Sequence, residues 1–247
     1  MYIGLVSVTF RHLSPRGIVE LVQQAGLDGI EWGADVHCPP GQLETAREIA
    51  ALMAEHGLMT LSYGSYYQTG TFDPFDSLLD TAEILGTSNI RVWAGSVASA
   101  LATAENWRCA VEDSQRIAGL AAERGISVSF EYHCDTLTDS IGTTERLLAE
   151  TNRDNVFSYW QPPAGLSLGD NITAIQRLIK LKKLKSLHVS SFDGTERVPL
   201  EANGEAWALY IKEASSANPS LLLEFVKDDN PGQMLRDAAF LRSLICR

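Results

Sequence analysis

The stretch Ile126-Ser-Val-Ser-Phe-Glu-Tyr-His-Cys134 decides the fold. From Ile126 to Phe130 apolar and small residues alternate, with the β-branched bias of a strand in a buried sheet or barrel. The run then stops in Glu131-Tyr132-His133. On an extended chain this spacing puts the Glu131 and His133 side chains on one face. A buried carboxylate must be paired or bound to metal, so the other strands become informative at their ends.

Outward from this stretch the same cycle repeats. Strand patterns cover residues 2–8, 27–32, 58–63, 89–93, 126–130, 156–160, 184–190 and 221–226. Helical patterns fill the intervals, over about 14–26, 43–56, 73–86, 103–124, 138–150, 170–180 and 201–215, with a last helix over about 232–245. Ser14-Pro15 supplies an N-cap and an N1 proline, and Gly26, Gly57, Gly86 and Gly125 close helices. Strict alternation calls for parallel strands joined by crossover helices. Eight units in 247 residues, with no linker or low-complexity tract, predict a single (β/α)8 TIM barrel over 1–247. The fallback is an open doubly wound sheet, but no G-x-G-x-x-G follows an early strand.

Composition narrows the function. The chain has a formal net charge of −11, which argues against a surface that tracks nucleic-acid phosphates. No apolar run approaches the roughly 20 residues of a membrane span. Met1-Tyr-Ile-Gly-Leu-Val has no basic region before its apolar residues and reads as the first strand. Cys38, Cys109, Cys134 and Cys246 lie far apart without a C-x-x-C, which favours reduced thiols and a cytoplasmic setting.

In a barrel of this kind the strand ends converge on one rim. Here they supply Glu31, Trp32, Tyr63, Trp93, Glu131, His133, Trp160, Gln161, His188 and Glu224. Singly, each such residue is more often a surface ion pair or core packing; their convergence makes the case. Glu131, Gln161, His188 and Glu224 come from four consecutive strands. Two carboxylates, an imidazole and an amide oxygen suit Mn²⁺, Mg²⁺, Co²⁺ or Zn²⁺, and lack the thiolates of a structural zinc site. Glu31 and His37 are expected to contact a substrate by hydrogen bonds. Trp32, Trp93 and Trp160 are expected as apolar walls, with Tyr63 and His133 as further contacts.

These strings resemble the xylose-isomerase-like barrels. The resemblance rests on Ile3-Gly-Leu-Val-Ser7, Gly29-Ile-Glu-Trp32, Glu131-Tyr-His133, Leu187-His-Val189 and Leu223-Glu-Phe225, in order along the whole chain. That superfamily includes sugar isomerases and epimerases, hydroxypyruvate isomerase, inosose dehydratase and endonuclease IV. The resemblance implies a divalent ion on Glu131, Gln161, His188 and Glu224. It also implies a carbohydrate substrate isomerised or epimerised through an enediolate, with Glu131 and Glu224 moving the proton. Arg197 would lie near the substrate, as an Arg after the His ligand does in some relatives. Relatives are often dimers or tetramers, so a homo-oligomer belongs among the expectations. One position departs: the family normally has Asp on strand six, where this chain has Gln161. A lyase of the inosose-dehydratase kind and a non-catalytic sugar-binding barrel are the alternatives. The endonuclease reading lacks ligands, since the chain has only five His.

Overall fold

In the computed structural model, which describes residues 1–245, eight parallel strands close into a barrel. The first seven are β1 (Ile3–Val6), β2 (Gly29–Gly33), β3 (Met59–Gln68), β4 (Asn89–Trp93), β5 (Ser127–Phe130), β6 (Val156–Trp160) and β7 (Leu184–Val189). A small hairpin, β8 (Phe192–Asp193) with β9 (Glu196–Arg197), interrupts the series. Strand β10 (Ser220–Leu223) then pairs with both β7 and β1 and closes the ring. The helices between them are α1 (Pro15–Gln24), α2 (Leu43–Glu55), α3 (Asp76–Leu85), α4 (Ala104–Ala122), α5 (Ile141–Thr151), α6 (Leu168–Lys180), α7 (Gly204–Ala214) and α8 (Pro231–Ile245).

Local chemistry sets the helix starts. Ser14 Oγ accepts from the Gly17 N–H, Ser140 from Thr143 and Ser167 from Asp170. Thr103 and Asn106 form a reciprocal capping box at α4. Ser140 and Ser167 therefore fix the starts of α5 and α6 at 141 and 168, against the expected 138 and 170.

Strand β3 runs five residues past its expected end, because Gly64–Gln68 continues the pairing instead of forming a loop. Between its pairings Gly64↔Arg91 and Gln68↔Trp93 the strand carries extra residues. Tyr66 sits in this bulge with φ 57°, a region that L-residues rarely enter. The bulge turns the Tyr66 ring toward the Arg91 guanidinium, 5.2 Å from its centroid.

The apolar side chains form two cores. The larger lies between strands and helices and contains Ile30, Trp32, Tyr63, Val92, Phe130 and Trp160. The smaller lies on the barrel axis, where Val6, Val8, Tyr159 and Leu222 form an apolar plug. Alternation along each strand decides which core a side chain joins. Among the described residues no helix is long and apolar enough to cross a membrane, and Cys38, Cys109 and Cys134 are free thiols.

Candidate active site

The axis also carries buried polar groups, Asn89 bonding Ser62, Ser127, Ser129 and Tyr159 on the strand face that Arg91 shares. Arg91, from the middle of β4, is 1% exposed and donates Nε–H to Glu31 Oε1 at 2.7 Å. Its Nη1 bonds Glu131 Oε2. Tyr159 O–H donates to the other oxygen of Glu31 at 2.8 Å. Space for the guanidinium exists because residue 64 is glycine: a Cβ there would lie 2.5 Å from Arg91 Nη2 and 3.0 Å from Glu31 Oε1. Burial alone would raise the Glu31 pKa, but Arg91 and His188 outweigh it and hold the group down at about 2. Glu31 is therefore an anion locked beneath the rim.

One layer higher, three side chains converge on His188 Nδ1. Glu224 Oε2 lies 3.2 Å from it, Gln161 Oε1 3.2 Å and Glu131 Oε1 3.7 Å. The ligand atoms of Glu131, His188 and Glu224 all fall within 4.8 Å of one another. His188 Nε2 points the opposite way, 3.6 Å from Glu31 Oε1 and without a hydrogen-bond partner. Burial would lower the His188 pKa, yet Glu224 and Glu31 raise it to about 10. Burial likewise pushes Glu224 up, and the His188 charge and hydrogen bond bring it below the ordinary carboxylate range.

These donors fit a divalent cation. Separations of 3.2 and 3.7 Å are those across the edges of a coordination polyhedron with bonds of about 2.0–2.2 Å. Glu31, 3.6 Å behind the imidazole, stands on the side where a carboxylate backs a ligating histidine, held there by charge without a formed hydrogen bond. Charge agrees as well: three buried carboxylates face one guanidinium, so a dication would neutralise the cluster when His188 is neutral.

The two sides of the arc differ. Glu131 Oε2 takes both the Arg91 guanidinium and the Trp93 indole N–H, the latter at 2.6 Å. For Glu224, His188 is the one cationic side chain within 4.0 Å among the described residues. Trp93 also stacks on His133, with centroids 4.9 Å apart at 19°, and meets Tyr66 edge-on at 5.8 Å. Trp93, His133 and Tyr66 thus form one aromatic wall at the mouth.

Other residues expected at the site lie apart from this wall. Trp32, Tyr63 and Trp160 point outward into the helix layer, because each is offset by one residue from, or out of register with, an axis-facing neighbour. All three are 0% exposed. Tyr63 O–H donates to Cys38 O at 2.8 Å, and Trp160 packs edge-on against Tyr210 at 5.0 Å. His37 lies in the loop after β2, buried, its ring nitrogens 3.0 Å from Ser7 Oγ and 3.2 Å from Leu13 O. Glu31 does face the axis but is consumed by Arg91 and Tyr159, leaving it no path to a sugar hydroxyl. Arg197 pairs with Asp229 and lies over the Phe225 ring at 4.7 Å, so it straps the loop after Glu224.

Arg91, Tyr66 and Tyr159 were not among the residues picked from the sequence. A charged residue inside the apolar run Asn89-Ile-Arg-Val-Trp93 is a signal for Arg91 that attention to strand ends alone passes over. Nothing local marks the other two.

The fold and the converging donors define a (β/α)8 barrel with a mixed oxygen/nitrogen site at the carboxyl ends of its strands. The chain belongs to the xylose isomerase-like TIM barrel family, whose model matches residues 19–244. It is 26% identical to the 3-dehydroshikimate dehydratase of Bacillus anthracis, over 63% of this chain and 60% of that protein. It is 24% identical to the inosose dehydratase of Erwinia tasmaniensis, over 70% of this chain and 62% of that protein. The matches thus span about three fifths of these curated relatives. Among solved structures, the probable 3-DHS dehydratase from Bacillus anthracis superimposes with a TM-score of 0.82 at 21% identity, covering 98% of this chain and 99% of that one. A D-psicose 3-epimerase from Clostridium cellulolyticum gives 0.74 at 16% identity, over 99% of each chain.

Proposed function

We propose that this protein is a divalent-metal-dependent lyase that removes water from a polyhydroxylated ketone, starting with loss of the proton next to the carbonyl. The asymmetry of the two carboxylates carries this reading. Two-base epimerisation needs acceptors of similar freedom on both faces of the substrate. Here one oxygen of Glu131 is committed to Arg91 and Trp93, whereas among the described residues Glu224 pairs with His188 alone. One free base suits elimination: Glu224 takes the α-proton and hands it to the hydroxyl on the adjacent β-carbon, which leaves as water as the C–O bond breaks and the C=C bond forms. The two curated relatives are a 3-dehydroshikimate dehydratase and an inosose dehydratase, which supports the same choice.

A cation held by Glu131 Oε1, Gln161 Oε1, His188 Nδ1 and Glu224 Oε2 would act as a Lewis acid toward the carbonyl. The chain's own groups do the positioning. Arg91 and Trp93 hold Glu131 with Oε1 toward His188, and Glu31 backs the imidazole. The wall of Trp93, His133 and Tyr66 presents apolar surface to the C–H face of a ring. The substrate is a small carbohydrate-like molecule; nucleic acid and membrane are not partners in this reading, and a homo-oligomer is compatible with it.

Epimerisation is the second reading, favoured by the one oxygen of Glu131 that remains uncommitted. The test is a panel of ring ketones and ketoses in D₂O with Mn²⁺-loaded protein. A lyase forms the absorbing enone, and Glu224→Gln stops both enone formation and deuterium uptake. Inverted, deuterated ketone without enone would establish the epimerase instead. Neither product with any panel member, together with no Mn²⁺ uptake, would leave a sugar-binding barrel.

A further inference from the structure

Of the four side chains in the donor arc, Gln161 is the one that never ionises. Glu131, His188 and Glu224 are 4%, 0% and 5% exposed, whereas Gln161 is only half-buried. A carboxylate at this place would hold a cation more strongly, since bonds from ionised groups are about twice as strong as neutral ones. What an amide has and a carboxylate lacks is an N–H donor. The reason for an amide here is therefore to be sought at its nitrogen.

The orientation of that amide follows from its neighbour. Gln161 Oε1 lies 3.2 Å from His188 Nδ1. An N–H on Nδ1, or a cation in its place, draws the oxygen inward and leaves Nε2 on the outer edge of the planar amide. Among the described residues Nε2 has no hydrogen-bond partner, and it is not one of the sealed polar atoms. It therefore opens to the mouth as a free donor beside the arc. The other members of the arc cannot do this. Ionised Glu131 and Glu224 only accept, and the second His188 nitrogen faces Glu31, 3.6 Å away. Charge points the same way. Three buried carboxylates balance one guanidinium and a dication when Gln161 and His188 are neutral. Negative charge that develops on a substrate then meets no surplus of its own sign.

We infer that Gln161 is a catalytic residue with two atoms in play: Oε1 completes the cation's donors, and Nε2–H donates to the substrate's ketone oxygen as that oxygen gains negative charge. The reaction it serves rests on the lyase reading; the donor aimed at an anion does not. When Glu224 takes the α-proton, the C–H electron pair passes to the ketone oxygen. Nε2–H bonds that oxyanion until the pair returns, the C=C bond forms and the β-hydroxyl leaves with the proton that Glu224 hands back. The probes are acetohydroxamate, a planar anionic chelator shaped like the enolate, and hydroxyacetone, its neutral counterpart. Each is titrated into Mn²⁺-saturated protein and followed by Mn²⁺ EPR. Gln161→Met, neutral and of similar length, weakens acetohydroxamate by roughly tenfold or more and hydroxyacetone by no more than about threefold. Gln161→Glu, of the same shape, weakens the anion further while binding Mn²⁺ itself more tightly. Both variants keep the Tm of the wild type, because the side chain is half-buried. With a reactive ketone, Gln161→Met lowers kcat by roughly 10²-fold with KM little changed. Equal weakening of the two probes, or acetohydroxamate binding undiminished in Gln161→Met, overturns the inference. Selective weakening of the anion with no reaction on any ketone overturns the lyase reading and leaves the donor standing.

Discussion

The β4–β5 side of the donor arc and the β7–β10 side are built on opposite plans. On the first, Glu131 is fixed by a guanidinium and an indole, and its strand neighbour Arg91 is fixed in turn by Glu31. On the second, His188 and Glu224 hold chiefly each other, 3.2 Å apart. Glu131 is thus suited to be a rigid ligand, and Glu224 to be a ligand with proton capacity to spare. Equal residue types do not mean equal roles; the donors already attached to a carboxylate set what it can still do.

The largest test of this contrast is catalytic. Glu224→Gln should lower kcat by roughly 10²–10⁴-fold, the usual worth of a placed base, whereas Glu131→Gln at saturating Mn²⁺ should lose less. Equal losses measured by deuterium uptake would erase the distinction. Next comes stability. Arg91→Met leaves Glu31 and Glu131 buried without their cation, and should cost about 3–5 kcal/mol in denaturant unfolding. Adding Glu31→Gln should recover part of that loss, because the two sites share one ion pair; full additivity would mean the pair is not coupled.

The β7–β10 side predicts a pH effect. The His188 pKa is raised to about 10 in the metal-free site, so the stabilisation from its proton is fully present below about 6.5 and lost as pH rises through 10. A cation needs the neutral ring. Binding at pH 7 should therefore release one proton, and affinity should climb by about tenfold per pH unit until the imidazole is neutral. Calorimetry in buffers of different ionisation enthalpy measures that proton; a pH-independent affinity would remove His188 from the ligand set.

Gln161→Asp gives the arc a charged third oxygen and should tighten Mn²⁺ by roughly tenfold, since bonds from ionised groups are about twice as strong as neutral ones. The smallest effect belongs to the outer layer. Tyr63→Phe removes a hydroxyl bonded to Cys38 O and should cost about 0.5–1.5 kcal/mol, with kcat unchanged.

Legibility in the sequence followed distance along the chain. The four donors at strand ends were readable because each breaks an apolar strand, and parallel alternation sends such ends to one rim. Trp93 and His133 were readable for the same reason, and the structure joins them in one stack. Trp32, Tyr63 and Trp160 stand at strand ends too, yet they face the helices. A strand end announces that a residue is near the rim and leaves open which face it occupies. The β3 register shift between Ile30↔Thr60 and Glu31↔Ser62 shows why: one irregular step reverses the face of everything beyond it.

What the sequence determined by itself is the periodicity: eight strand-helix units, caps that start the helices, and a Glu131-Tyr-His133 end that demanded company. Short-range patterning is sufficient for these, because caps and alternation act within a few residues. Only the tertiary structure decided that Arg91 reaches from β4 to both Glu31 and Glu131, that Gly64 makes room for it, and that Tyr66 leaves its bulge to cover it. Those partners lie up to 60 residues apart. Buried charge is settled by whichever opposite charge the closed barrel brings within reach, and closure is a property of the whole ring.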